Sequence, residues 1–185
     1  AILKYIGEYA LVSYTIISYV NTIVVMSMAG IAQGTQPLIS YYYGKNESEK
    51  YKKLLKYGMV AAAAGSVAAV LICYVGAESI VGLFLKESEA SLSVYSVRVL
   101  RIFILSFLLA GLNVVLGGYF TSVEKAGFAT MISLTRSLIA LVISLVFLTA
   151  VFGGEAIWWA PLIAESCCLV LSAGLYQWYR KNNFF

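Results

Sequence analysis

The sequence predicts an all-α integral membrane protein built as a bundle of about five transmembrane helices. Three observations carry that expectation. The 185 residues are 61% hydrophobic with mean hydropathy +0.86, and only 12% are charged, against roughly 45–50% apolar and 25% charged residues in soluble domains. The apolar residues gather into five long segments, each near the roughly 20 residues that cross a bilayer. Charge is largely confined to short polar stretches between them.

Taken in order, the segments run over about 10–42, 55–76, 93–119, 126–151 and 156–178. The first is too long for one perpendicular crossing, so it should tilt or bend, with Pro37 and the neighbouring glycines as the place. GKNESEKYKK (44–53) separates it from the second. Gly76–Leu85, GAESIVGLFL, reads as a short interfacial helix, followed by KESEAS (86–91). TSVEKAG (121–127) and GGEA (153–156) divide the last three segments. Tyr and Trp favour the membrane–water boundary. Tyr41–Tyr43, Trp158 with Trp159, and Trp178 with Tyr179 stand at such ends.

Loop charge sets the orientation. Lys45, Lys50, Lys52, Lys53, Lys56, Lys125, Arg180 and Lys181 fall on one side, while Lys86 stands against Glu87 and Glu89 on the other. The lysine-rich side, with the C-terminus, is therefore expected in the cytoplasm of a multi-pass cell-membrane protein, a bacterial plasma membrane being the natural setting. Arg98 and Arg101 open the third segment on the outer side, where their stems can snorkel to headgroups. The chain opens on Ala1 and carries no signal-peptide pattern, since Lys4 is soon followed by Glu8. An odd number of spans points to a piece of a longer or processed protein.

Several function classes drop out. With no histidine and no aspartate, zinc-site spacings and histidine acid–base catalysis are absent. No convergent catalytic set marks an enzyme. Cys73, Cys167 and Cys168 lie in apolar runs and read as reduced small hydrophobes. The +4 charge reflects membrane topology, not nucleic-acid binding.

The polar residues at depth are the functional candidates. In GIAQGTQPLISYYYG (30–44), Gln33, Gln36 and Ser40 fall within about 60° on a helical wheel and form one polar stripe. Gly30 and Gly34 make a small-xxx-small pair on the adjoining face, suited to close helix packing. The stripe is either interhelical glue or a cavity wall. Counting about 1.5 Å per residue, Arg136 lies roughly 16 Å and Glu165 roughly 20 Å from the cytoplasmic ends, both near the midplane. An unpaired charge there costs about 2.5–3.5 kcal/mol, so the two should pair or face one aqueous cavity. They are either a static ion pair or a site whose carboxylate changes protonation. Asn113, about 9 Å deep on the same count, is placed to bond Gln36 or to face substrate. Pro161 reads as a helix-entry proline.

GIAQGTQPLISYYYGK closely resembles the signature of the multidrug and toxic compound extrusion (MATE) family, GIAQGxQPLISYNYG. Arg101-Ile102, GGYFTSVEKA (117–126), Ser133-Leu134-Thr135-Arg136 and VFGGEAIWWAPLIAE (151–165) are similar to later family segments in the same order. The resemblance implies one lobe of a twelve-helix, two-lobe transporter with a V-shaped cavity. Residues 1–8 would be the outer end of a preceding helix, and 9–185 the C-terminal lobe. It also implies export of small amphipathic cations in exchange for H⁺ or Na⁺, with the N-terminal lobe and membrane lipids as partners and no cofactor. Gln33, Gln36 and Asn113 become substrate-cavity candidates, and Arg136 and Glu165 buried-charge candidates.

Two departures stand out. Tyr42 occupies a position where the family often has Asn, and segment 93–119 holds no glutamate of the kind one branch uses to bind its cation. The coupling ion is thus unassigned. A lipid-linked oligosaccharide flippase of the same superfamily and a non-transporting module that oligomerises through Gly30 and Gly34 are the alternatives.

Overall fold

The computed structural model describes residues 7–86 and 89–182, and no strand occurs among them. The first helix, α1 (Glu8–Gly44), runs 37 residues without interruption through Pro37. At 1.5 Å per residue that is about 55 Å, well beyond the hydrocarbon thickness. One stripe of it is buried: Ala10, Ser13, Ile17, Val20, Val24, Met28, Ala32 and Ile39 recur at three- and four-residue spacing. The opposite face stays apolar and open, with Ile23 at 68% and Met26 at 69% exposure, as lipid or another protein surface requires. Asn46, at φ 57°, turns the chain into the next helix; asparagine tolerates that left-handed conformation better than most residues.

The second helix, α2 (Ser48–Val75), buries mostly small residues, Gly58, Ala62 and Ser66 among them. A short α3 (Ala77–Gly82) lies where the interfacial helix was expected. The next span is broken into α4 (Ala90–Ile104) and α5 (Phe107–Ser122), bent by 41°. At the break Leu105 and Ser106 donate to carbonyls three residues back, and the Ser106 hydroxyl donates to Phe103 O at 2.8 Å. These tighter bonds replace the regular ladder and tip the axis.

The fourth span comprises α6 (Ala126–Leu134), a π-helical turn (Thr135–Ile139) and α7 (Ala140–Phe152). Gly153, at φ 82°, ends it in a conformation that side chains resist. A 3₁₀ turn (Gly154–Trp159) then leads into α8 (Ala160–Asn182). Among the described residues, four helical stretches are long and apolar enough to cross a membrane, and the bent α4–α5 pair makes a fifth. The expected five-span bundle is therefore present. Residues 1–6 of the expected outer helix end lie outside the described residues, and Glu8 already belongs to α1.

The core has two parts. One packs α1 against α4 and the 3₁₀ turn through Ile16, Ile17, Leu100, Ile104, Phe107 and Trp158. The other joins α1, α2, α5 and α8 through Ile39, Leu55, Val115, Phe120 and Cys168, and ends in edge-to-face contacts of Tyr119, Phe120 and Tyr179. Arg101 reaches the short helix after the second span. It donates to Glu78 at 3.1 Å and lies over the Tyr74 ring, which ties α4 to α2 and α3.

Candidate functional site: a cavity lined by helix interruptions

The α4–α5 break, the π turn and the 3₁₀ turn all border one cavity of about 690 Å³, within the usual size range of ligand pockets. Phe103, Ser106 and Ala110 reach it from the α4–α5 break. Arg136 and Ser137 come from the π turn, and Ile157 and Trp158 from the 3₁₀ turn. Tyr14, Ser18, Asn21 and Val25 of α1 close one wall, with Leu141 and Leu145 of α7 and Pro161, Ala164 and Glu165 of α8 opposite. Irregular backbone is tolerated at membrane depth where it is buried in protein or lines a cavity.

The π turn bears directly on the charged pair. Ala140 donates its amide to Thr135 O, five residues back, so the turn holds one residue more than an α-helical turn. Within it Arg136 Nε donates to Glu165 Oε1 at 2.7 Å. Glu165 Oε2 accepts from Asn113 Nδ2 at 2.7 Å, and the same amide nitrogen reaches Glu165 O at 3.0 Å. Both Glu165 partners are acceptors, which orients the amide with its nitrogen toward the carboxylate; the Ser172 hydroxyl donates to Cys168 O at 2.8 Å. Three helices, α5, α8 and the α6–α7 span, thus meet at one carboxylate. The pair is not fully withdrawn: the Arg136 side chain is 23% exposed and that of Glu165 12%.

The predicted site residues separate into two groups. Arg136 and Glu165 share the cavity and each other, while Asn113 stands behind Glu165, fully buried, and does not line the cavity. Nor does Asn113 bond Gln36. The depth count neglected rotation about the helix axis, and Gln36 meets α5 at Gly118, where a Cβ would come within 2.8 Å of Gln36 Nε2. Gln33 is exposed and outside the cavity, and the Ser40 hydroxyl donates to Ser122 O at 3.2 Å. The polar stripe is therefore split between helix packing and an open face.

Gly30 and Gly34 find no packing partner within this bundle. Both are exposed, and a Cβ added to either meets nothing within 4 Å, so among the described residues no helix packs on them. Close approach occurs instead at Gly58, Gly65, Gly111 and Gly118. A Cβ on Gly111 would collide with Ser66 Oγ and stand 3.1 Å from Met28 Sδ. The signal for this seam was present as Gly58-xxx-Ala62-xxx-Ser66 in α2, a longer small-residue series than the Gly30/Gly34 pair. Asn21 and Ser106 also line the cavity without having been singled out, and Trp158, expected at the membrane–water boundary, is buried beside it. Only Asn21 carried a legible cue, as an amide in the middle of an apolar run.

A family model described as MatE matches residues 1–146. A multidrug export protein MepA from Staphylococcus haemolyticus is 26% identical over 166 residues, covering 90% of this chain and 36% of the relative. A protein of the same name from Staphylococcus aureus is 24% identical over 166 residues with the same coverage. The chain spans little more than a third of the length of the curated relatives it matches. A crystal structure of MATE in complex with MaL6 superposes with a TM-score of 0.86 at 17% identity, covering 97% of this chain and 40% of that one. Outward-facing and inward-facing structures of a multidrug resistance MATE family transporter give 0.85 at 17% and 0.86 at 16% identity. They cover 97% and 98% of this chain, and 40% and 43% of theirs.

Proposed function

Because the chain belongs to the MatE family, we propose that it is the C-terminal lobe of a secondary transporter that exports drugs or organic cations by H⁺ or Na⁺ antiport through alternating access. The observation that carries the reading is the match of the family model to most of the chain. Relatives named as multidrug export proteins support the proposed activity. Likeness to both outward- and inward-facing structures supports a lobe that keeps its own packing while the transporter changes state. Rocking of one bundle against another needs such a body.

In this reading residues 9–185 form the lobe, and an N-terminal lobe covers the open face of α1 that carries Gly30, Gln33 and Gly34. The cytoplasm receives the C-terminus, where Arg180 and Lys181 add to the positive side. Gln33 and Gln36 would line or support the cleft between lobes. Glu165 is the coupling candidate: protonation removes the charge that holds Arg136, and the pair then has a second state available. Asn113 is its positioning residue, since it touches the carboxylate and not the cavity.

The test is efflux of a lipophilic cation from cells expressing the full-length protein. Glu165→Gln is expected to lower ion-coupled efflux at least about tenfold, and Gln36→Ala to lower it less. Coupled efflux unchanged in both variants would remove these residues from the mechanism. Repeating the assay in Na⁺-free medium separates sodium from proton coupling.

A further inference from the structure

The five lysines between α1 and the second turn of α2 are not equivalent. Lys45 donates to the Tyr41 hydroxyl and lies over that ring, Lys50 pairs with Glu47, and Lys53 lies near the Tyr57 ring. Among the described residues Lys52 and Lys56 have no ion pair, hydrogen bond or ring partner. They stand four residues apart on α2, where like charges repel. Both border a second cavity, of about 400 Å³, between α2, α5 and α8. It shares no lining residue with the cavity of Arg136 and Glu165. Its polarity runs in one direction. α2 starts at Ser48 and α8 ends at Asn182, so Lys52, Lys56, Tyr176 and Gln177 form a rim at one end of the bundle. Lys56 and Gln177 are exposed, which leaves the rim open. At 1.5 Å per residue, Met59 lies about 10 Å further in than Lys52, and Leu169 about 12 Å further in than Gln177. With Leu116 they make the deeper part apolar.

We infer that this groove binds an anionic phospholipid, its phosphate between the Lys52 and Lys56 ammonium groups and one acyl chain along Met59, Leu116 and Leu169. A phospholipid has the same order of polarity, charge at the membrane boundary and hydrocarbon inward. Basic pockets between transmembrane helices bind anionic headgroups, and one anion between the two lysines removes their mutual repulsion. Tyr176 and Gln177 add a hydroxyl and an amide at headgroup level, and the Tyr176 ring is held edge-on by Tyr119 at 5.7 Å. A soluble phosphate would use the lysines but leave the apolar walls uncovered. A zwitterionic lipid would cover the walls but bring no net charge to the lysines. Such a site requires a membrane around the chain; it does not require drug export.

The experiment uses the full-length protein in mild detergent, with bound lipid counted by native mass spectrometry. The probes are dioleoyl phosphatidylglycerol, dioleoyl phosphatidylcholine with the same chains, and glycerol 3-phosphate with none. Wild type is expected to bind phosphatidylglycerol about tenfold or more tightly than phosphatidylcholine, as two lysines at the membrane surface allow. Glycerol 3-phosphate should not displace it. Lys52→Gln/Lys56→Gln should cut the preference to about threefold or less. Lys45→Gln/Lys50→Gln removes the same charge from the same region and should keep it. Ala173→Phe, which fills the groove, should weaken both lipids. Equal wild-type affinities, or a preference that survives Lys52→Gln/Lys56→Gln, would overturn the inference. So would a preference lost equally in Lys45→Gln/Lys50→Gln, which would report diffuse charge, or displacement by glycerol 3-phosphate, which would assign the lysines to a soluble anion. If Lys52→Gln/Lys56→Gln does not fold, Ala173→Phe decides: weakened phosphatidylglycerol binding supports the groove, and unchanged binding places the lipid elsewhere and overturns it. Cation efflux is not read in this experiment, so its failure leaves the proposed transport standing.

Discussion

Set the seam of α1, α2 and α5 beside the cavity between α1, the α4–α5 break, the π turn and α8. The seam is made of regular helices that touch through Gly58, Ala62, Ser66, Gly111 and Gly118. Its buried contacts are mostly apolar or hydroxylic, with the Gln36 amide against Gly118 the polar exception. The cavity is bordered by the α4–α5 break, the π turn and the 3₁₀ turn, and it is lined by the partly buried pair of Arg136 and Glu165. Close helix packing in lipid comes from small residues and van der Waals contact. Irregular backbone is tolerated at membrane depth where it lines a cavity, and here Arg136 comes from such a turn while Glu165 and Asn113 come from regular helices. One bundle does both by keeping them in different places, with α1 as the shared wall.

The sharpest way to break the comparison is to orphan a charge in the cavity. Glu165→Ala leaves Arg136 without its partner, and a loss of about 3–5 kcal/mol is expected, read as lost folded yield and a lower thermal midpoint in detergent. The double variant Arg136→Met/Glu165→Ala should recover most of that loss. A double variant as unstable as the single would mean that the pair stabilises the fold and is not merely compensated within it.

The seam should respond to volume and not to charge. Gly111→Ala sets a methyl group against Ser66 Oγ and Met28 Sδ, with an expected cost of about 1–3 kcal/mol. Adding Ser66→Gly should restore part of it, and thermal unfolding of the three variants makes the check. Gly153→Ala is expected to cost about 1 kcal/mol, because its φ of 82° lies where a Cβ is strained although nothing crowds it.

The smallest effect sharpens the contrast between glycines. Gly30→Ala meets no atom, so this lobe alone should gain a few tenths to about 1 kcal/mol from helix propensity. In the full-length protein the same change should instead cost stability or activity if another lobe packs on that face. A stability gain in both settings would leave the glycine without a packing partner and count against the proposed lobe contact.

Much of this was legible in the linear order of residues. Segment length and hydropathy fixed the five spans, because a bilayer accepts only helices or closed barrels of set length. The short helix after the second span and the midplane depth of Arg136 and Glu165 were readable for the same reason. Charge at that depth is costly enough to demand a partner, so even the meeting of two residues on neighbouring antiparallel spans was open to inference. The MATE resemblance was equally present in GIAQGTQPLISYYYG and in the order of the segments after it.

The facing of each residue was not. Gly30 and Gly34 looked like a packing seam and turned outward, while Gly111 and Gly118 took that place. Asn113 matched Gln36 in depth and bonded Glu165 instead. Depth follows from counting along one helix, but facing depends on rotation and on the interruptions at Ser106, Thr135–Ile139 and Gly154–Trp159. Those arise from the packing of several helices at once. The amino-acid sequence by itself determined which groups had to leave the lipid and at what level. The tertiary structure alone decided which of them meet, and that Arg136 and Glu165 share one cavity while Asn113 stands behind them.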